Sequence, residues 1–186
     1  MSEFSRYAMV TIFIFLASCA AGVMVSSGDP GAGEQLLGLF REAIVGEILD
    51  SAPSVLALKL FVNNLQACTF MFLGGASLGL LTAFIILANG VVIGAVAELV
   101  RQQQGLLCIA AALVPHGVFE ISAFVISGTL GFLLARDLWQ EWRGVGDAAA
   151  SSVAMGKTFL FVVVPLVAVA AFTEVFITPE ILRLVA

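Results

Sequence analysis

From Tyr7 to Gly28 no position is charged. At about 1.5 Å of rise per residue, a helix over 7–28 covers a hydrocarbon core of about 30 Å. Leu16-Ala17-Ser18-Cys19 has the letters of a lipoprotein cleavage box. The apolar run nevertheless continues through Val23-Met24-Val25, and Glu3 partly offsets the flanking Arg6. The segment is therefore read as a retained span rather than a signal peptide. A turn cluster, Asp29-Pro30-Gly31, follows it. Leu37, Phe40, Ile44 and Ile48 then recur at helical spacing between Glu34, Arg41, Glu42, Glu47 and Asp50. That alternation predicts an amphipathic interfacial helix near 34–50. Its polar face is mostly acidic, which favours docking on the protein's own helices over attraction to anionic lipid.

Between Lys59 and Glu98 lies a charge-free stretch of about 38 residues, about 57 Å as one straight helix. A bilayer does not accommodate that length without a turn. Ala88-Asn89-Gly90 is the best turn signal inside it, so the pattern predicts spans near 65–87 and 91–104. Leu106–Val114 is apolar but too short to cross, and Pro115-His116-Gly117 follows at once. Two geometries fit: a re-entrant half-helix near 106–114 that turns at Pro115, which is preferred, or one long kinked helix. Further spans are predicted near 118–135 and 158–175, the last carrying Pro165. Trp139 and Trp142, beside Arg136 and Arg143, look like interfacial anchors.

The expected fold is thus an all-α polytopic transmembrane bundle forming a single domain over 1–186. It has about five spans, the half-helix and the interfacial helix. Composition agrees: 61% of the 186 residues are apolar and 11% charged, with a mean hydropathy of +1.10. A soluble domain carries about 25% charged residues. Eight Lys+Arg against 13 Asp+Glu give a net charge of −5, with no basic stripe for nucleic acid. Orientation is not fixed by charge. With the N-terminus inside, Arg6, Arg136, Arg143 and Lys157 fall inside and Arg41, Lys59, Arg101 and Arg183 outside, so the positive-inside rule sees no bias.

Glu120 carries the most information. A carboxylate in the middle of a span costs about 2.5–3.5 kcal/mol on insertion scales, so it pairs or faces a cavity. His116, four positions earlier, shares its helix face if the helix is continuous. The pair reads either as a polar clamp beside Pro115 or as a proton- or ion-handling site. Asn63, Asn64 and Asn89 are further polar positions suited to bonding between helices. Gly75-x-x-x-Gly79, Gly90-x-x-x-Gly94 and Gly128-x-x-Gly131 offer small faces for close helix packing, within one chain or in a homo-oligomer. Cys19, Cys68 and Cys108 have no CxxC spacing, and with a single His they are too few for a metal site. No cofactor motif is present. Gly75-Ala76-Ser77-Leu78-Gly79 matches the letters of a nucleophile elbow, but in a helical run instead of a strand–turn–helix. A peptidase built on Ser77 and His116 is a distant reading, and no catalytic residues are assigned.

Phe61-x-Asn63-Asn64, Gly75 and Gly79, Asn89-Gly90-x-x-x-Gly94, His116-Gly117-x-x-Glu120-x-x-Ala123 and Gly128-x-x-Gly131 occur in that order. Together they resemble the stage II sporulation protein M family of integral membrane proteins, best over 61–136. The resemblance implies a multi-pass protein of the cell membrane and a scaffold or assembly subunit rather than an enzyme. Its implied surroundings are lipid and protein partners, cell-wall hydrolases among them. Asn63, Asn64, Asn89, His116 and Glu120 would form its polar core. The alternative is a permease-like transporter or channel subunit using His116 and Glu120 near the membrane midplane, although the chain shows no clear internal repeat.

Overall fold

A computed structural model describes residues 2–29, 31, 34–35, 38 and 52–185. The helix expected near 34–50 lies almost wholly outside the described residues. Every element among those residues is helical, and five helical stretches are long and apolar enough to cross a membrane.

Helix α1 covers Glu3–Gly28 and begins four residues before the predicted span. The Ser2 side chain caps it by accepting the Ser5 N–H at 3.2 Å. Helix α2 is Pro53–Leu73, with proline at its first position, where a missing N–H costs nothing. A short 3-10 turn over Gly74–Ser77 leads into α3, Leu80–Gln104. The chain therefore turns at 74–79, and the predicted spans near 65–87 and 91–104 are replaced by α2 and α3. Leu78 and Gly79 supply the reversal, with left-handed φ of 56° and 83°. Asn89-Gly90 does not turn, because the Asn89 amide donates to the Ile85 carbonyl one turn back and stays within the helix.

Gly105, with φ 86°, separates α3 from α4, Leu106–Trp142. This helix runs through Pro115 without interruption, so the separate half-helix near 106–114 and the span near 118–135 are one element. A proline removes one helical hydrogen bond, which neighbouring helices can make tolerable. Helix α5, Ala148–Thr158, is capped by Asp147, whose carboxylate accepts the Ala150 N–H at 2.9 Å. It passes through a π-helical turn, Phe159–Val163, into α6, Val164–Phe176. In that turn the Val164 N–H reaches back five residues to the Phe159 carbonyl, immediately before Pro165, which has no N–H to donate. The predicted span near 158–175 is the second half of this longer rod. Helix α7, Thr178–Val185, closes the described chain.

The bundle turns large apolar side chains outward and buries small hydroxyl residues beside an apolar centre. Phe13, Leu80, Phe84 and Phe161 point outward at 66–75% exposure, while Thr11, Ser18, Ser26, Thr82, Ser127 and Thr129 are buried. Small hydroxyl residues let helices approach and satisfy backbone carbonyls, as in helices packed in lipid. Ser18, Ser127 and Thr129 each donate to a carbonyl three or four residues back in their own helix. The apolar centre joins Phe15, Cys68, Met71, Ile86, Phe124, Val163 and Val167. Phe15 and Phe124 meet there with ring centroids 5.3 Å apart.

Two seams fix the helix positions. Along α1 and α3, which run parallel, a Cβ added at Gly22, Gly90 or Gly94 would fall 2.1 Å from the Val91 oxygen, 1.9 Å from the Ser18 hydroxyl or 2.0 Å from the Cys19 oxygen. Between α2 and α4, also parallel, a Cβ at Gly131 would meet the Met71 oxygen at 2.3 Å, and one at Gly75 would meet the Gly131 oxygen at 2.3 Å. Thr82 of α3 donates to that same Met71 carbonyl at 2.8 Å. Gly128 packs on Thr11 and Ile86, and left-handed Gly79 lies against Phe132.

Candidate functional site

Helix α4 carries His116 and Glu120 one turn apart, and α6 brings Glu174 to them. One ligand-capable atom from each of the three lies within 4.8 Å of the others. The His116 ring is buried, and its Nε2 is 4.0 Å from Glu120 Oε2, too far for a hydrogen bond. Its Nδ1 is 3.4 Å from Thr178 Oγ1. The Thr178 hydroxyl is buried and donates to the Thr173 carbonyl at 3.2 Å. Its single proton is therefore committed, and its oxygen faces Nδ1 as an acceptor. The tautomer with its proton on Nδ1 fits that acceptor, and it leaves the Nε2 lone pair on the side of Glu120. About a third of the Glu120 side chain is exposed, which opens the cluster to the bundle surface.

Glu174 is two residues from the end of α6, and Thr178 begins α7. The cluster thus joins the interior of α4 to the α6–α7 junction. Chemically it offers one imidazole nitrogen and two carboxylates, a set able to relay a proton or ligate a cation.

The other polar positions read from sequence are not hydrogen-bonded to this trio. Asn63 donates to Asn64 at 3.3 Å, and Asn89 bonds within α3. Among the described residues none of the three hydrogen-bonds His116 or Glu120. Ser77 donates to the Gly74 carbonyl at 2.7 Å and accepts the Leu81 N–H at 2.9 Å, so it caps the entry to α3. It lies beside the Gly75–Gly131 contact, and Gly131 is about 22 Å along α4 from His116 at helical rise. Ser77 and His116 therefore form no nucleophile–base pair.

Glu174 is the residue that sequence reasoning missed. It stands alone at the end of the last apolar run, and no i, i+4 partner marks it. The signal was its charge inside a predicted span, the same signal that singled out Glu120.

Two further polar clusters fasten opposite ends of α1. Near its end, buried Glu98 accepts Arg101 Nε and Nη2 at 2.7 Å, Gln102 at 2.8 Å and the Ser27 hydroxyl at 3.0 Å. At its start, Arg136 pairs with Glu3 and with buried Asp137.

Residues 11–179 match the family described as Stage II sporulation protein M. An uncharacterized protein of Methanocaldococcus jannaschii is 32% identical over 133 residues, spanning 69% of this chain and 71% of its own length. No solved structure matches the chain.

Proposed function

The chain belongs to the Stage II sporulation protein M family, and from that premise we propose that it is a multi-pass protein of the cell membrane. It acts there as a scaffold or subunit of a larger assembly, not as an enzyme. The observation that carries this reading is the backbone-to-backbone packing at Gly22, Gly94 and Gly131. Helices held at that distance form a rigid platform, and sliding one past the other drives a side chain into a neighbouring carbonyl. A scaffold needs such rigidity, whereas alternating access requires elements that move. The outward apolar side chains give the platform its lipid contact. Its partners are membrane or membrane-associated proteins, with cell-wall hydrolases the class implied by the family, and a second copy of the chain is a further candidate neighbour.

Mild crosslinking in native membranes followed by capture of the tagged protein tests the proposal. A stoichiometric partner bearing an extramembrane catalytic domain is expected with the wild type, and it is lost when the α1–α3 seam is spread by Gly94→Leu. Well-folded protein that captures no such partner overturns it.

The second reading is transport, and the observation favouring it is the ionisable trio of His116, Glu120 and Glu174. Reconstituted vesicles showing a solute or ion flux abolished by Glu120→Gln would replace the scaffold reading.

A further inference from the structure

We propose that His116 Nε2 and the carboxylates of Glu120 and Glu174 form a binding site for a divalent first-row transition-metal cation of the Zn²⁺ class, with Thr178 as the residue that positions the histidine.

Three observations lead to it. The first is spacing. His116 Nε2 and Glu120 Oε2 are 4.0 Å apart. Donor atoms around a tetrahedral ion with bonds of about 2.0–2.1 Å stand about 3.4 Å apart, so a cation would draw the two side chains together by several tenths of an ångström, within the reach of small side-chain rotations. Glu174 completes the set from the facing helix, within the same 4.8 Å limit. The ligands thus come from α4 and α6, and the ion ties the two together.

The second is the tautomer. Thr178 spends its proton on the Thr173 carbonyl and faces His116 Nδ1 with its oxygen. In the tautomer that donates from Nδ1 to Thr178, the Nε2 lone pair is left on the side of Glu120, where it can ligate. Fixing one imidazole nitrogen by an outer hydrogen bond while the other ligates is the usual way a protein orients a metal-binding histidine. The threonine comes from a different helix, 62 residues along the chain, so the orientation is imposed by tertiary structure and not by local helix geometry.

The third is charge. Once a divalent cation has displaced any carboxyl protons, two carboxylates and a neutral imidazole contribute −2, and the cluster with its ion is neutral. In a poorly solvated bundle that balance removes most of the cost of holding two carboxylates together. The donor set selects among divalent ions. Ca²⁺ takes six to eight oxygens and Mg²⁺ holds its waters in an octahedral shell, whereas a mixed nitrogen and carboxylate site suits Zn²⁺ and its neighbours. Three protein ligands leave a fourth position for water or a partner's side chain, on the side where Glu120 is exposed.

This inference does not rest on the scaffold reading, and its test needs no partner. Tag-free, full-length protein in detergent is stripped with a chelator and titrated with Co²⁺, a probe whose visible d–d bands report nitrogen and oxygen ligation. One Co²⁺ per chain is expected, displaced by one Zn²⁺ and not by millimolar Mg²⁺ or Ca²⁺. Glu174→Gln should weaken binding at least tenfold while leaving the protein folded. Thr178→Val should weaken it by about tenfold and shift the d–d bands, since outer-shell substitutions cost about 10–100-fold. A folded wild type with no saturable Co²⁺ binding overturns the proposal. So does unchanged affinity in folded Glu174→Gln, which marks an adventitious ion only, or displacement by Mg²⁺, which refutes the assigned ion class. If a variant does not fold, the wild-type stoichiometry, spectrum and displacement order still decide the question.

Discussion

Gly94 lies so close to Cys19 that a Cβ on the glycine would stand 2.0 Å from the cysteine's carbonyl oxygen. No rotamer change relieves that contact, because both participants are backbone. Gly94→Leu is therefore expected to force α1 and α3 apart and to destabilise the bundle by about 3 kcal/mol or more, the upper end for overpacking. Thermal unfolding followed by intrinsic fluorescence measures it. Gly156→Ala is the control: no atom lies within 4 Å of that added carbon. A helical glycine replaced by alanine gains up to about 1 kcal/mol. Equal effects from the two substitutions would refute the seam.

Glu98 accepts from four donors, two on Arg101 and one on Gln102 in its own helix and the Ser27 hydroxyl on α1. Ser27→Ala removes the link to α1 and leaves the others, whereas Glu98→Ala strands Arg101 and Gln102 as well. Both should raise amide hydrogen exchange at the end of α1, and Glu98→Ala should lower the unfolding temperature further. A larger loss in Ser27→Ala would contradict this ordering.

Arg136 stands between Glu3 and Asp137, and Asp137 is 5% exposed. Arg136→Ala leaves that carboxylate buried without its cation, at a cost of about 3 kcal/mol. Glu3→Gln removes a partner that is mostly solvent-accessible and should cost under about 1 kcal/mol. Chemical or thermal unfolding of the two variants gives the comparison, and a reversal of their order would displace Arg136 from this role.

Ser77 closes the turn between α2 and α3 through two hydrogen bonds. Ser77→Ala should cost about 1 kcal/mol, as losing a helix cap does, and should leave any activity of the protein unchanged. A catalytic defect in folded Ser77→Ala would revive the peptidase reading.

Much of the architecture was legible in the chain because charge-free runs state where helices can be buried in lipid. Runs do not state where a helix turns. Asn89-Gly90 has the letters of a turn, yet Asn89 is satisfied inside α3 and Gly90 is needed for contact with Ser18. The true reversal used Gly79, whose neighbouring glycines also serve the α2–α4 seam. The His116–Glu120 pair was readable because four residues is a helical repeat. Its third member was not, because Glu174 meets them only across the bundle and its partner helix is fixed by packing.

The π-helical turn at Phe159–Val163 governs which way Glu174 points. A wide turn is equivalent to one residue inserted into a helix, and each residue rotates an α-helix by about 100°. Everything beyond Val163 is turned by that amount relative to a regular continuation of α5. The turn acts as a phase shifter, setting the azimuth of Glu174 independently of the face that α5 presents. Deleting one residue there would keep the rod and its apolar character while swinging the carboxylate away from His116. Composition would hardly change; the cluster would be gone.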